Sequence, residues 1–326
     1  MNFAVIGCGL IGQKRSRALQ ARGHRIAIVV DPVVERAERL AAQSAGARAS
    51  TDWAAAVSDP GVDAVAVATT NQWLAPVTLG AVRAGKHVLV EKPAARTVRE
   101  IDEVLAAVPP GVHVQVGFNH RYHPALQKAR EIVDSGALGP LLFLRGRYGH
   151  GGRVGYDKEW RADPQISGGG ELIDQGVHLI DLARWFLGEF PRIEGHADTY
   201  FWNMPVDDNA FLSLRTASGQ TAWLHVSCTE WKNLFSLEIY GRDGKLDLSG
   251  LGGSYGIERI AFYRMLPQMG PPETTIWEFP GEDQSWQLEL ADFERSVETG
   301  RSHGPTLADA RAALQVVESI YGRYDR

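Results

Sequence analysis

The 326-residue chain has few cysteines and no long hydrophobic run, and neither sign of charge dominates it. Its cysteines, Cys8 and Cys228, are too few for a disulfide framework. No apolar segment approaches the roughly 20 residues that a membrane-spanning helix needs, and no signal peptide is recognisable. The net charge of −5 at pH 7 excludes an overall basic surface of the kind that binds nucleic acid. We therefore expect a cytoplasmic protein without nucleic-acid or membrane partners.

A glycine-rich stretch near the start has the spacing Gly-x-Gly-x-x-Gly and directly follows an apolar strand, residues 3–6. Gly7 permits a tight turn, Gly9 lets the backbone approach a pyrophosphate, and Gly12 lets the next helix lie close to the strand. The N–H groups and the positive dipole end of that helix favour phosphate groups. The residues predicted to bind a dinucleotide here are Gly7, Gly9, Leu10, Ile11 and Gly12.

A second apolar strand, residues 26–30, ends in Asp31, about 20 residues beyond the glycines. An acidic side chain at this point accepts hydrogen bonds from the ribose hydroxyls of an adenosine and repels a 2′-phosphate. The sequence therefore predicts NAD in preference to NADP. Arg36, about one helical turn further on, leaves NADP open as the alternative.

The pattern of strands and helices changes at about residue 120. Before it, apolar strands alternate with helices, and strand ends are the expected ligand side of a parallel sheet. After it, short strands separated by turns predict a mostly antiparallel sheet, followed by two terminal helices. We predict an α/β Rossmann domain, with a doubly wound parallel sheet, over residues 1–120, and an α+β domain with a large open sheet over residues 121–326. The predicted cofactor-binding residues at the strand ends are Thr69, Thr70, Asn71, Glu91 and Lys92.

Lys92 follows a strand at the ligand side of the predicted parallel sheet. Its ammonium group can donate a hydrogen bond to a substrate oxygen and stabilise negative charge as a carbonyl is made or reduced. A surface Glu91–Lys92 pair in front of a helix is the alternative, and spacing alone leaves both open.

A predicted helix over residues 171–187 carries Asp174, His178 and Asp181. Asp174 and His178 lie one turn apart on one face. Histidine titrates near neutrality, so His178 can take a hydroxyl proton as hydride leaves and return it in reduction, while Asp181 could orient its imidazole. The alternatives are a buried structural histidine, a surface aspartate and a metal site. We expect no metal, since no further ligand stands at a telling spacing.

The chain resembles the Gfo/Idh/MocA oxidoreductases, the glucose–fructose oxidoreductase and inositol dehydrogenase group. The resemblance rests on three motifs in the same order along the chain: the glycine motif, Glu91-Lys92-Pro93 and Asp174-x-x-x-His178-x-x-Asp181. The resemblance covers essentially the whole chain and implies an NAD(P)-dependent enzyme that acts on a sugar, a sugar nucleotide or a cyclitol. It implies that Lys92 binds the reacting oxygen, that His178 is the general acid/base, and that Asp174 holds a substrate hydroxyl or assists the proton path. It also implies cofactor contacts from Trp160 and Arg161, and substrate contacts from Asn119, Arg121 and Tyr122.

A polar, basic stretch from Tyr148 to Arg161 stands near the expected pocket, with Tyr148 and Arg153 as further predicted substrate contacts. Basic side chains suit a carboxylate or a diphosphate, hence a sugar acid or a nucleotide sugar. A solvated loop is the alternative. Arg145 and Arg147 share one strand face, and the open sheet could pack against a second subunit, which predicts a homodimer or homotetramer.

The predicted function is hydride transfer between NAD(P) and a secondary alcohol or ketone carbon of a sugar, sugar nucleotide or cyclitol. One alternative is a hydrolase or epimerase that oxidises its sugar transiently and retains NAD; net release of NADH separates the two. A lesser alternative is a non-catalytic regulator that senses NAD. Lys92, Asp174 and His178 together argue against the regulator, because a sensor needs no acid/base group.

Overall fold

The computed structural model of the protein describes residues 1–322, and in that range the chain forms two compact units. The first unit comprises Met1–Phe118, Gln165–Gly168 and Trp286–Gln315, and the second comprises Asn119–Pro164, Gly169–Ser285 and residues 316–322. Residues 286–315 thus belong to the first unit, whereas the sequence groups them with residues 121–326; a functional division at residue 120 stays a prediction. No helix in the described range is long and apolar enough to cross a bilayer.

The first unit contains a parallel sheet with helices between its strands. Its strands are β1 (Asn2–Ile6), β2 (Arg25–Val30), β3 (Arg48–Ser50), β4 (Ala64–Val67), β5 (His87–Glu91) and β6 (Val114–Gly117). The helices between them are α1 (Leu10–Ala21), α2 (Val34–Ala42), α3 (Trp53–Ser58), α4 (Asn71–Arg83) and α5 (Val98–Ala107). Within residues 1–322 the sheet has six strands in the order β3-β2-β1-β4-β5-β6, all pairs parallel. This confirms the predicted doubly wound sheet, whose order reverses between β1 and β4, the point where such sheets bind ligands.

The core of the first unit surrounds β1, and Phe3 and Val5 on this strand are fully buried. Side chains of α1, α2 and a later helix, α9 (Ser285–Thr299), complete the cluster, among them Leu19, Leu40 and Phe293. The ring centroids of Phe3 and Phe293 are 6.1 Å apart. Burial of Phe293 in this core explains why residues 286–315 belong to the first unit.

The second unit is built on a large open sheet. Its strands are β7 (Leu141–Gly149), β8 (Arg192–Asp198), β9 (Asn209–Arg215), β10 (Thr221–Ser227), β11 (Leu234–Gly241), β12 (Gly244–Ser249), β13 (Glu258–Arg264) and β14 (Glu273–Phe279). In the described residues the order is β14-β13-β12-β11-β7-β10-β9-β8, and each neighbouring pair is antiparallel except β7 with β10. This confirms the mostly antiparallel sheet. It is not a simple meander, because β7, the first of these strands in the chain, lies between β10 and β11.

The remaining helices are divided between the two units. They are α6 (Pro124–Asp134), α7 (Pro164–Ser167), α8 (Val177–Leu187) and α10 (Leu307–Tyr321), with 3-10 helices at Asn119–Tyr122, Tyr156–Lys158 and Trp160–Ala162 and a π-helical turn at Leu172–Gly176. Helices α6 and α8 pack on the large sheet. Helix α8 covers one face of the large sheet, since a side chain on Gly146 of β7 would touch Leu179. The side chains of Arg145 and Arg147 lie on the opposite, exposed face.

A buried ion cluster ties α1 to β5 and α9 in the first unit. The Arg15 guanidinium donates to Glu91 Oε1 at 2.7 Å and to Glu289 Oε2, and its Cζ lies 4.6 Å from the ring centroid of Trp286. Burial opposes the charge of Arg15, yet Glu289 and Glu91 together raise its pKa above the ordinary value. Because both carboxylates bind this guanidinium, its removal would take a buried positive charge from each of them.

We expect Arg15→Ala to lower the free energy of unfolding by about 3–5 kcal/mol, the cost of breaking a buried ion pair. Arg22→Ala is the matched control, because Arg22 directly follows α1 and pairs with Glu294 of α9, but its side chain is 34% exposed. That pair should contribute about 1 kcal/mol or less. Urea unfolding followed by circular dichroism measures both variants. Equal losses in the two variants would contradict the structural role given to Arg15.

Candidate active site

The glycine motif forms the turn between β1 and α1. Gly7 has a φ of +96°, and a Cβ there would overlap the carbonyl oxygen of Ala68. A Cβ on Gly12 would overlap the carbonyl oxygen of Gly7, so its absence keeps α1 close to β1. At Gly9, by contrast, an added Cβ meets no atom within 4 Å among the described residues. The turn and packing roles predicted for Gly7 and Gly12 are confirmed, and Gly9 borders open space.

The N-terminus of α1 faces this open space with its backbone donors. Gly9 is the N-cap residue, and no side chain of the described residues caps it. The first turn holds no acidic side chain, Leu10 is largely exposed and Ile11 is half-buried. The first N–H groups of a helix have no partner within the helix, and they carry the positive end of its dipole. The loop therefore fits the pyrophosphate of a dinucleotide.

Asp31 follows β2 and lies against the glycine loop. Its Oδ2 accepts a hydrogen bond from the Cys8 N–H at 2.9 Å, and its Oδ1 accepts one from the Val33 N–H at 3.0 Å. An ionised carboxylate accepts about four hydrogen bonds, so each oxygen keeps capacity for a ribose hydroxyl. Burial and the charge of Asp31 raise the pKa of the Cys8 thiol to about 12, although Arg36 opposes the shift. Cys8 is thus an inert loop residue at neutral pH.

The predicted residues after β4 lie at the carboxyl end of the same parallel sheet. Thr70 is the N-cap residue of α4, and the Thr69 hydroxyl donates to the Thr70 carbonyl oxygen at 3.1 Å. Asn71 is buried and its Nδ2 donates to the carbonyl oxygen of Ser167 at 2.8 Å. These contacts lie within the first unit and fix the chain beside the glycine loop; binding of a cofactor by these residues stays a prediction.

Lys92 lies immediately after β5, at the carboxyl end of this strand, and is half-buried. The alternative of a surface Glu91–Lys92 pair is wrong, because the Glu91 carboxylate is buried in the ion cluster with Arg15. The Lys92–Pro93 peptide bond is cis, and Ala94 has a φ of +70°. A positive φ at a residue other than glycine, as at Ala94, persists only where the surrounding structure holds it.

In the second unit, Asp207 holds the start of the helical segment that carries Asp174 and His178. Its Oδ1 accepts a hydrogen bond from the Gly170 N–H at 2.9 Å and one from the Tyr321 hydroxyl at 2.7 Å, and its Oδ2 accepts from the Leu172 N–H at 2.8 Å. Burial raises the pKa of Asp207, although these donors oppose the shift. A Cβ on Gly170 would overlap the Asp207 backbone, which explains the glycine at this position.

The segment itself differs from the single helix predicted over residues 171–187. Leu172–Gly176 is π-helical, and the α-helix begins only at Val177. Asp174 is in the middle of this π-helical turn and is buried. Its Oδ2 accepts a hydrogen bond from Arg161 Nε at 2.8 Å, and Asp174 is the main cause of the raised pKa of Arg161. π-Helical turns occur frequently at functional sites.

His178 is buried at 4% exposure, and its imidazole stacks on that of His120 with ring centroids 3.7 Å apart. The two ring planes differ by 20°, and Tyr148 lies edge-on to both rings. No sequence pattern singles out His120, although it stands between Asn119 and Arg121, both predicted substrate contacts. Within residues 1–322 no group of three or more histidine, cysteine, aspartate or glutamate side chains could hold a metal ion.

The other predicted residues of the second unit have partners of their own. Arg121 binds Asp181 with two hydrogen bonds, from Nε at 2.8 Å and from the NH2 nitrogen at 2.5 Å, and the two side chains form an ion pair. Asn119 Nδ2 donates to Ser285 Oγ at 3.0 Å. Tyr148 is buried, which raises its pKa well above the ordinary value. Substrate contacts from these residues stay predictions.

Comparisons with known proteins agree over the whole chain. Residues 1–118 match the oxidoreductase family with an NAD-binding Rossmann fold, and residues 126–247 match the GFO/IDH/MocA C-terminal domain. Inositol 2-dehydrogenase 2 of Saccharopolyspora erythraea is 32% identical over 98% of this chain and 91% of its own. Levoglucosan dehydrogenase of Pseudarthrobacter phenanthrenivorans is 28% identical over 98% of this chain and 95% of its own. A solved levoglucosan dehydrogenase in complex with NADH and L-sorbose has a TM-score of 0.89 and 25% identity, covering 99% of this chain and 96% of that one.

The first unit is therefore an NAD-binding Rossmann domain, and its geometry fits this cofactor. The open space at Gly9 and the backbone donors of α1 suit the pyrophosphate, and Asp31 has acceptor capacity left for the ribose diol.

We expect Asp31→Ala to weaken NADH binding at least tenfold, since hydrogen bonds to a charged group contribute about 1.5–3 kcal/mol each. The variant should also lose its preference for NADH over NADPH, because no carboxylate then repels the 2′-phosphate. Fluorescence titrations with both cofactors measure the two affinities. Glu35→Ala, which removes the same charge from an exposed position on α2, should leave both unchanged. An unaltered affinity ratio in Asp31→Ala would show that another group selects NAD.

Proposed function

The chain belongs to the Gfo/Idh/MocA family of NAD-dependent oxidoreductases, and we propose that its substrate is a neutral sugar or cyclitol. The reaction is hydride transfer between nicotinamide and a secondary alcohol or ketone carbon. The proposal departs from the anionic substrate that the basic stretch of residues 148–161 suggested. The observation that supports it is the pairing of Arg153 and Arg161, the two arginines of that stretch, with carboxylates of the same unit.

The guanidinium groups of this stretch are both engaged. Arg161 Nε lies 2.8 Å from Asp174 Oδ2, and its NH1 nitrogen lies 3.9 Å from Glu159. Arg153 is exposed and lies 2.6 Å from the same Glu159 carboxylate. A sugar carboxylate or a diphosphate would have to compete with these internal carboxylates for either arginine.

The remaining basic groups add little positive charge near Asp174. His150 Nε2 lies 3.6 Å from the buried Glu171 carboxylate. Burial lowers the pKa of His150, and Arg161 and Arg153 act in the same direction although Asp174 opposes them, so the shift favours the neutral ring. Lys158 is exposed to solvent. An uncharged polyol, which needs hydrogen-bond partners and no counter-ion, suits these surroundings better than an anion. Levoglucosan and inositol, for which the similar proteins are named, are neutral polyols.

The roles that we propose for the side chains follow from their chemistry. Bound NAD supplies the hydride acceptor. Lys92 donates a hydrogen bond to the reacting oxygen and stabilises the negative charge that develops there. His178 accepts the hydroxyl proton during oxidation and returns it during reduction. Asp174, held by Arg161, accepts a hydrogen bond from a substrate hydroxyl.

The test is a comparison of neutral and anionic substrates by the near-ultraviolet absorbance of reduced nicotinamide. We expect purified protein with NAD to oxidise at least one inositol, anhydrosugar or free hexose with a kcat/KM at least about tenfold above that for sugar acids and UDP-sugars. In the same assay His178→Ala should lose at least about a hundredfold in kcat, the usual contribution of a general base, and keep its affinity for NADH.

His113→Ala, in the first unit, controls for the loss of a half-buried histidine and should keep its activity. A higher kcat/KM for a sugar acid or UDP-sugar would contradict the neutral substrate. Tightly held NAD without net reduction by any compound would favour the hydrolase or epimerase alternative. Full activity in His178→Ala would contradict the acid/base role.

The exposed face of the large sheet supports a homodimer or homotetramer. It carries Trp223, which is 58% exposed, together with Arg147 and His225, and these side chains line a cavity of about 490 Å³. Sheets of this kind pack face to face, and a two-fold pair would bury the same patch on both copies. A cytoplasmic location without nucleic-acid or membrane partners stays a prediction of the sequence.

Light scattering after size exclusion should give the mass of at least two chains, and Trp223→Glu should reduce it because a charge would be buried in the contact. Val154→Glu, at a fully exposed position away from the sheet, is the control and should leave the mass unchanged. A monomeric wild-type protein would contradict the proposed assembly.

A further inference from the structure

His120 and His178 form a buried, stacked pair of imidazoles within the second unit. His120 lies in the 3-10 helix Asn119–Tyr122 and His178 in the first turn of α8, and each is 4% exposed. We propose that His120 is a positioning residue for His178: it fixes the imidazole plane and couples the protonation of the two rings, so that the pair holds at most one proton at neutral pH. The inference rests on the proposed function, in which His178 is the general acid/base.

The two rings are held by an aromatic enclosure. The ring centroid of Tyr148 lies 5.0 Å from that of His120 and 6.1 Å from that of His178, edge-on in both cases. Phe235 lies edge-on to His120 at 6.1 Å, and the ring of His123 lies edge-on at 5.7 Å. Since these neighbours close on His120 from several sides, its ring presents a fixed face to His178.

The separation of the two rings makes their titrations interdependent. At 3.7 Å, two protonated imidazoles would bring like charges into contact in a buried position, which disfavours the doubly protonated pair. Groups that interact this closely release protons in steps that belong to the pair rather than to either ring. One protonated ring, by contrast, lies over the π face of a neutral one, which is favourable.

The nearby Glu258 carboxylate pairs with His123, so it does not hold a second proton on the His120–His178 pair. His123 Nδ1 lies 2.7 Å from Glu258 Oε1, and the Glu258 pKa is lowered by His123 although burial opposes the shift. The Glu258 carboxylate is therefore paired with His123. The titratable and charged groups on the elements packed around the pair include Glu171, Asp174 and Asp181 on the segment that carries His178, Arg121 and His123 beside His120, Tyr148 on β7, Tyr255, and Glu258 on β13.

The consequence for the reaction is that the substrate proton is taken up by His178 while His120 is neutral. When His178 takes the hydroxyl proton, its ring becomes cationic against a neutral His120. The next turnover begins after that proton has passed to solvent. His120 keeps His178 in the orientation for transfer and prevents the pair from starting the cycle with both rings already protonated.

The test is a titration of wild-type protein labelled with ¹³C at histidine Cε1, from about pH 5 to pH 9, without substrate. Wild-type His178, assigned through His178→Gln, should titrate in two linked steps at least about one pH unit apart. In His120→Phe, which keeps an aromatic face but carries no proton, His178 should titrate in one step. His113→Phe removes a ring from the other stacked pair, His87 with His113 at 5.8 Å in the first unit, and should leave His178 unchanged. A single, identical step for His178 in wild-type protein and His120→Phe would overturn the proposal.

Activity provides the second readout. His120→Ala should lower kcat about tenfold with little change in KM or NADH affinity, and His120→Phe should recover most of the loss while altering the acid limb of the pH profile. If His120→Ala does not fold, His120→Phe still carries the test, and an unchanged acid limb there counts against the coupling. Full activity in His178→Ala would contradict the acid/base role of His178 but not the coupling of the two rings, because the titration does not depend on turnover.

Discussion

The candidate site of the second unit depends on the hydrogen bonds that the Asp207 carboxylate accepts. It accepts the backbone N–H groups of Gly170 and Leu172 together with the Tyr321 hydroxyl, and so replaces the partners that the first turn of a helix lacks. The π-helical turn that holds Asp174 and the α-helical turn that holds His178 begin at this anchor. A buried acceptor can do this because each donor it receives offsets part of the cost of burying its charge.

Charge pairing then decides which polar side chains are available for chemistry. Arg15 neutralises Glu91 inside the first unit, and Arg121 neutralises Asp181 inside the second. Both pairs are buried or nearly so, and they hold elements together. The pair of Arg161 with Asp174 has a different setting, because Arg161 is partly exposed and Asp174 stands one turn before His178. These pairings are the observations on which the proposal of an uncharged substrate rests.

The parts of the fold that the sequence predicts well are those with local signals. Helix α5, Val98–Ala107, has such a signal, because the Thr97 hydroxyl accepts the Glu100 N–H and marks the start. The strands β3 (Arg48–Ser50) and β8 (Arg192–Asp198) lack one, since they are edge strands with few apolar side chains and become strands only through a neighbour. The place of β7 in the middle of its sheet was equally hidden, because strand order depends on contacts between distant residues.

The same distinction holds for the site. The glycine loop, the acid at the end of β2 and the Asp174–His178 spacing could be found in the sequence, because each is a pattern of neighbouring residues whose geometry the backbone imposes. The stack of His120 on His178, the pairing of Arg161 with Asp174 and the capture of Glu91 by Arg15 could not. These contacts join residues 13 to 76 positions apart, and they form only when the packed unit brings the side chains to the same place and excludes water from them.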